Sequence, residues 1–98
     1  MAQFQVYAVA GERLALDLQT DLIESGTRVV APLIPISSGP NVIGGLEPVF
    51  QIDGKDQVLH TAEMAAVPSA LLRKQPVADL SNSDHEIRSA LDMVFSGF

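Results

Sequence analysis

Apolar and polar positions alternate over residues 3–9, where Phe4, Val6 and Tyr7 stand beside Gln3 and Gln5. After Ala10-Gly11-Glu12 the alternation resumes over residues 13–19, with Leu14, Leu16 and Leu18 on one face and Asp17 on the other. Two alternating runs joined by a glycine-bearing turn predict a β-hairpin and put Asp17 on a solvated face. Residues 21–26 read as a short connection ending in a loop. Residues 27–33 are β-branched and mostly apolar, which predicts a buried strand; Pro32 places it near an edge or a bulge. Residues 35–45 hold two prolines, three glycines and two serines and predict a loop.

Residues 48–52 and 57–60 flank Asp53-Gly54-Lys55-Asp56. Asp-Gly favours the positive φ angles of tight turns, so this is a second hairpin. Residues 61–68 begin with helix-tolerant Ala62-Glu63-Met64-Ala65-Ala66 and stop at Pro68. Residues 70–72 read as one more short strand, and Pro76 and Asp79-Leu80 lead out of it. The helix expected with least ambiguity opens at Ser83-Asp84-His85-Glu86, where Ser83 and Glu86 can form a capping box. Asp84 and Glu86 also complement the positive end of the helix dipole. Ile87, Ala90, Leu91, Val94, Phe95 and Phe98 then fall on one stripe, and Gly97 is a natural stop. The fold class is mainly β with one C-terminal helix (α+β), a small and strongly bent sheet or partial barrel.

The stripe has two readings. In one, Ile87, Leu91, Val94 and Phe95 simply pack on the sheet. In the other, the aromatic end at Phe98 is covered by the chain's own core, by a second copy or by a partner.

Length changes this picture by bounding it: 98 residues make a single domain, residues 1–98. Hydrophobic residues are 47% of the chain and charged residues 18%, against about 25% charged in average domains. That excess of apolar residues points to oligomerisation. The net charge is −6, spread evenly: two basic and five acidic groups in residues 1–49, four and seven in residues 50–98. Without a basic block, direct binding of nucleic acid is disfavoured and a basic partner fits better. Cysteine is absent, which excludes disulfides and thiolate metal sites. The first residues lack the regions of a signal peptide, and the longest apolar run, Val29 to Ile36, is eight residues. That is too short for a membrane span, so the expected location is the cytoplasm.

Candidate chemistry is sparse. His60 and His85 lack metal-motif spacing; His85 reads as a solvated surface residue and His60 as a hydrogen-bonded structural one. Asp17, Asp21 and Glu24 read as solvated carboxylates. The glycines near Pro40 and at Gly44-Gly45 lack the Gly-Lys-Ser/Thr step of a phosphate loop.

At this point the chain resembles the CcdB-type toxins of plasmid or chromosomal toxin–antitoxin pairs. The resemblance runs through Phe4-Gln5-Val6-Tyr7, the block from Arg13 to Ile23, Val30-Ala31-Pro32-Leu33, Glu47-Pro48-Val49, the block from His60 to Pro68, Val77-Ala78-Asp79-Leu80-Ser81 and the helix. It implies a small CcdB/MazF-like barrel of bent antiparallel sheet, a second small sheet and one C-terminal helix. It also implies a homodimer that binds the A subunit of DNA gyrase, traps it with cleaved DNA, and is neutralised by a CcdA-type antitoxin. Neither cofactor nor catalysis is implied. The gyrase-binding positions it implies are Leu22, Ile23, Asp92, Phe95, Ser96, Gly97 and Phe98. The tail departs from the family's familiar Phe-Trp-Gly-Ile, since Ser96 stands where the indole is expected. Asp92 stands where an asparagine is familiar.

Two other functions compete. One is a CcdB-fold protein that binds only antitoxin, as co-repressor or decoy. The other is a MazF-like endoribonuclease, whose phosphate chemistry would fall to Arg13, Arg28 or Arg88.

Overall fold

The computed structural model describes residues 2–9, 11, 13–36, 46–72 and 75–97. The first hairpin forms as its alternation predicts: β1 (Gln5–Ala8) pairs antiparallel with β2 (Leu14–Asp17). The second is β4 (Val49–Ile52) with β5 (Lys55–Leu59). Its two-residue turn has positive φ at both Asp53 (51°) and Gly54 (78°). That conformation matches the twist of the flanking strands, and Asp-Gly tolerates it.

The long strand β3 (Thr27–Pro35) organises the rest. On one side it pairs with β2; on the other it pairs first with β6 (Ala65–Pro68) and then with β5. The sheet order is β4-β5-β3-β2-β1-β7, with β7 spanning Ala78–Asp79 and β6 held off this path by β3. The second small sheet is thus continuous with the first through β3. The whole is a mostly antiparallel, strongly bent, nearly closed barrel.

Pro32 lies in this central strand, not near an edge. Leu18 N–H donates to the Val29 carbonyl at 2.9 Å, and the same register makes Leu16–Ala31 and Leu14–Leu33 the bonded pairs. Ala15–Pro32 is then a non-bonded pair. The missing N–H of Pro32 falls on the side where the partner of β3 changes from β6 to β5, so only the last, reciprocal bond of the β5 ladder is given up. Its carbonyl accepts from His60 N–H at 3.0 Å.

Residues 61–72 also differ from expectation. A 3-10 turn (Thr61–Glu63) leads into β6, and a second (Ser69–Leu72) replaces the short strand expected over residues 70–72. Alanine favours helix, but intrinsic propensity yields to tertiary context, and the open edge of β3 offers backbone partners to residues 65–68.

Both faces of β1, β2 and β3 are covered. Phe4, Val6, Leu16, Ala31, Leu33, Phe50, Leu59 and Ile87 form the larger core. Tyr7, Ala15, Val30 and Leu72 form a second one on the opposite face. Burying an aliphatic side chain of this size contributes roughly 1.5–3 kcal/mol before entropy is counted. Helix α1 (Asp84–Ser96) follows a 3-10 turn at Ser81–Ser83 and buries Ile87 and Ala90. The expected capping box is not formed. Ser83 has φ −104° and ψ 22°, not the extended backbone that aims a cap hydroxyl at the helix. Arg88 instead pairs with Asp84 one turn earlier. Gly97, at φ 78°, ends the helix and donates its N–H to the Met93 carbonyl at 3.0 Å.

Candidate functional site

The expected contact residues lie on two elements. Leu22 and Ile23 are in the connection between β2 and β3; Asp92, Phe95 and Ser96 are on the last turns of α1, and Gly97 caps it. Phe98 lies outside the described residues, as does the part of the expected loop over 37–45.

Phe95 does not pack on the sheet. Burial falls along the helical stripe: Ile87 and Ala90 are buried, Leu91 and Val94 half-buried, and Phe95 is 75% exposed. Arg88, Asp92 and Phe95 are spaced four and three residues apart, so they share one face of the helix. The Arg88 guanidinium stands over the Phe4 ring, 5.3 Å from its centroid. Phe4 itself has φ 67°, an unusual conformation for a bulky side chain. It is held there by its N–H to Asp17 O at 2.6 Å and by Leu80 N–H to its own carbonyl at 2.8 Å.

Next to it, Gln3 reaches the β2–β3 connection. Its backbone N–H donates to Asp21 Oδ1 at 2.9 Å and its Nε2 to Leu18 O at 3.1 Å. The connection and the helix therefore flank one N-terminal segment. Leu22, 93% exposed, and Ile23, 54% exposed, stand out from the connection.

Beneath them is a buried ion pair. Asp17 is not solvated; it is 0% exposed and Arg28 is 5% exposed. Asp17 Oδ2 accepts from Arg28 Nε at 2.9 Å and from Nη2 at 2.8 Å. Asp17 Oδ1 accepts Gln19 N–H at 3.1 Å. Burial pushes the Asp17 carboxyl up, against the lowering effect of the Arg28 and Gln19 hydrogen bonds. Burial works against the Arg28 charge too, but there the Asp17 and Asp21 contacts win and the guanidinium is held above its ordinary value. The two shifts pull in opposite senses for the pair. The ionised form is the one the geometry supports, because both carboxyl oxygens accept from donors and no acceptor receives a proton.

Arg28 Nη2 also donates to Gln19 O at 3.0 Å and to Asp21 Oδ1 at 3.3 Å. These contacts commit the Arg28 guanidinium to carboxylates and a carbonyl. Arg88 is engaged with Asp84, and Arg13 is exposed.

His60 has the structural role expected of it. It is buried, and its Nδ1 lies 2.7 Å from Glu47 Oε2. Thr61 Oγ1 donates to Leu46 O at 2.7 Å, so both contacts fasten the approach to β4. His85 is exposed. Among the described residues no group of three or more His, Cys, Asp or Glu side chains is placed to hold a metal, and no helix is long and apolar enough to cross a membrane.

The described residues thus form a small bent barrel with exposed large apolar side chains on two elements and with its central arginine paired to carboxylates. Comparison with known structures gives the fold: the chain is similar to the Mycobacterium tuberculosis toxin MazF-mt6, with 16% identity, TM-score 0.74, and 93% of this chain and 95% of that one covered. It is also similar to an endoribonuclease from a mycobacterial species in complex with its cognate antitoxin, with 12% identity, TM-score 0.79, and 97% and 94% covered. A third similar structure, an endoribonuclease from a mycobacterial species, has 12% identity, TM-score 0.76, and 97% and 90% covered. The sequence matches the family described as CcdB protein over residues 3–97. The chain belongs to the CcdB family, and is a toxin of the toxin–antitoxin type.

Proposed function

We propose that this protein is a non-catalytic toxin that binds the A subunit of DNA gyrase and traps the enzyme on cleaved DNA. It acts in the cytoplasm as a homodimer of single-domain chains, and a CcdA-type antitoxin removes it from gyrase. The observation that carries this reading is the exposure of Leu22 and Phe95, at 93% and 75%. Large apolar side chains on prominent elements are what a partner covers, and a few such anchors dominate most interfaces. Membership of the CcdB family supports the target, and the similar structure solved with its cognate antitoxin supports the second partner. A net charge of −6 suits basic segments on either.

Ser96 bears on the strength of the contact. An indole there would add a cation–π term of about 0.5–2 kcal/mol, which serine does not supply. Phe95, one residue earlier and exposed, is the aromatic anchor in this reading.

The test is gyrase with supercoiled plasmid, probed for protein-linked cleaved DNA. The wild-type chain is expected to accumulate cleaved complex, and Phe95→Ala to reduce it by about tenfold or more, the loss of one anchor worth roughly 1.4 kcal/mol or more. No trapped complex, together with normal growth on expression without antitoxin, sinks the proposal. Ser96 favours a second reading, a toxin-fold chain that binds antitoxin alone. Tight antitoxin binding with no binding to gyrase A would select it. The endoribonuclease reading is the weaker one, because Arg28 is held by Asp17 and Asp21.

A further inference from the structure

Exposed loop tips are ordinarily the least stable part of a domain. The connection carrying Leu22 and Ile23 is built differently. Gln19 uses its backbone and side chain on both sides of it. Its Nε2 donates to Ile23 O at 3.0 Å, and its Oε1 accepts Val29 N–H at 3.1 Å. Its own N–H and carbonyl are bound by Asp17 and Arg28. Inside this frame residues 20–23 close a turn: Ile23 N–H reaches Thr20 O and Leu22 N–H reaches Thr20 Oγ1, each at 3.4 Å. Asp21 ties the turn to Arg28 and to Gln3.

The frame rests on a buried ion pair, and such a pair is seldom the most stable solution for its site. Apolar residues of similar volume often replace one without loss. What the pair adds here is direction. It presents a carbonyl-binding guanidinium and an amide-binding carboxylate to Gln19, and Gln19 sets the turn. Binding by an already ordered loop avoids the loss of affinity that comes from populating the competent conformation only part of the time.

We infer that Gln19 and Arg28 are positioning residues that hold Leu22 and Ile23 as a rigid apolar knob for the gyrase A surface. The inference rests on the function proposed above, and adds to it the part of the chain that prepares the contact.

The experiment measures affinity for a gyrase A fragment and backbone amide exchange at Leu22 and Ile23, in the wild-type chain and in Gln19→Ala, Leu22→Ala and an Asp17→Leu/Arg28→Met double variant. The double variant guards against misfolding, since it leaves no unpaired buried charge. Gln19→Ala is expected to weaken binding about tenfold, as a knob ordered about a tenth of the time would. Exchange at both amides should quicken, well below the melting temperature. The double variant should stay folded and show the same two changes. Wild-type affinity and unchanged exchange in Gln19→Ala, alongside weakened binding in Leu22→Ala, overturn the inference alone. Unaltered affinity in Leu22→Ala, or no binding by the wild-type chain, overturns the proposed contact and the inference with it.

Discussion

Asp79 accepts the backbone N–H of Ser81 at 2.8 Å just before the helix, and that bond holds its carboxyl below the usual carboxylate range. A carboxyl lowered on folding adds stability above its unfolded value and loses it as pH falls through the folded one. Asp79→Ala is therefore expected to melt below the wild type at neutral pH, with the gap closing as pH drops below the ordinary carboxylate value; thermal melts across pH 2–7 check this. A gap that stays constant across that range would show that the carboxylate contributes nothing through its charge. Asp17 is under opposed influences, since burial raises its carboxyl while the Arg28 and Gln19 hydrogen bonds lower it. Asp17 is also where alternation misleads. The rule that polar positions face water assumes one wet face, and β2 buries Ala15, Leu16 and Asp17 in succession. The presence of Arg28 eleven residues on gave no sign that the two would meet, since the pairing depends on β3 lying beside β2.

Within the helix, the period of 3.6 residues identified the stripe correctly but not how far the sheet covers it. Ile87 is fully buried among the larger core, whereas Phe95 is exposed. Ile87→Ala is accordingly expected to cost about 2–5 kcal/mol in urea unfolding, and Phe95→Ala no more than about 0.5 kcal/mol. Equal losses for the two would mean that Phe95 is covered in solution. The hairpin at Asp53-Gly54 was readable because two residues determine its geometry locally. The strand at Ala65–Pro68 was not, because nothing in four small residues specifies a strand until the edge of β3 is available. The capping box failed for a similar reason: the 3-10 turn already satisfies the entrance, with Ser83 N–H on Leu80 O at 2.9 Å. Residues 22 and 23 came from family resemblance alone; the signal that reasoning from residues could have used is an apolar pair inside a polar connection.

At the scale of the whole molecule, the bent sheet or partial barrel with one helix could be expected, while the short strand β7 at its edge could not. The edge of β1 is covered by β7, two residues long, which pairs with it antiparallel. Val77 N–H donates to Val6 O and Leu80 N–H to Phe4 O, both at 2.8 Å. This pairing has a consequence for the order of events during synthesis. One edge of β1 has no partner until residues 77–80 are made, roughly 4–15 seconds after β1 at about 5–20 residues per second. Ile87, which completes the larger core, follows later still. Ribosome-bound chains ending before Ala78 are expected to be cut readily by protease, and chains extending past α1 to resist. Resistance in the shorter chains would show that β1–β3 close on their own. A cell translating this message thus has an interval in which Leu22 and Ile23 have been made but the helix carrying Asp92 and Phe95 has not, so the two halves of the proposed contact surface come into being at different times.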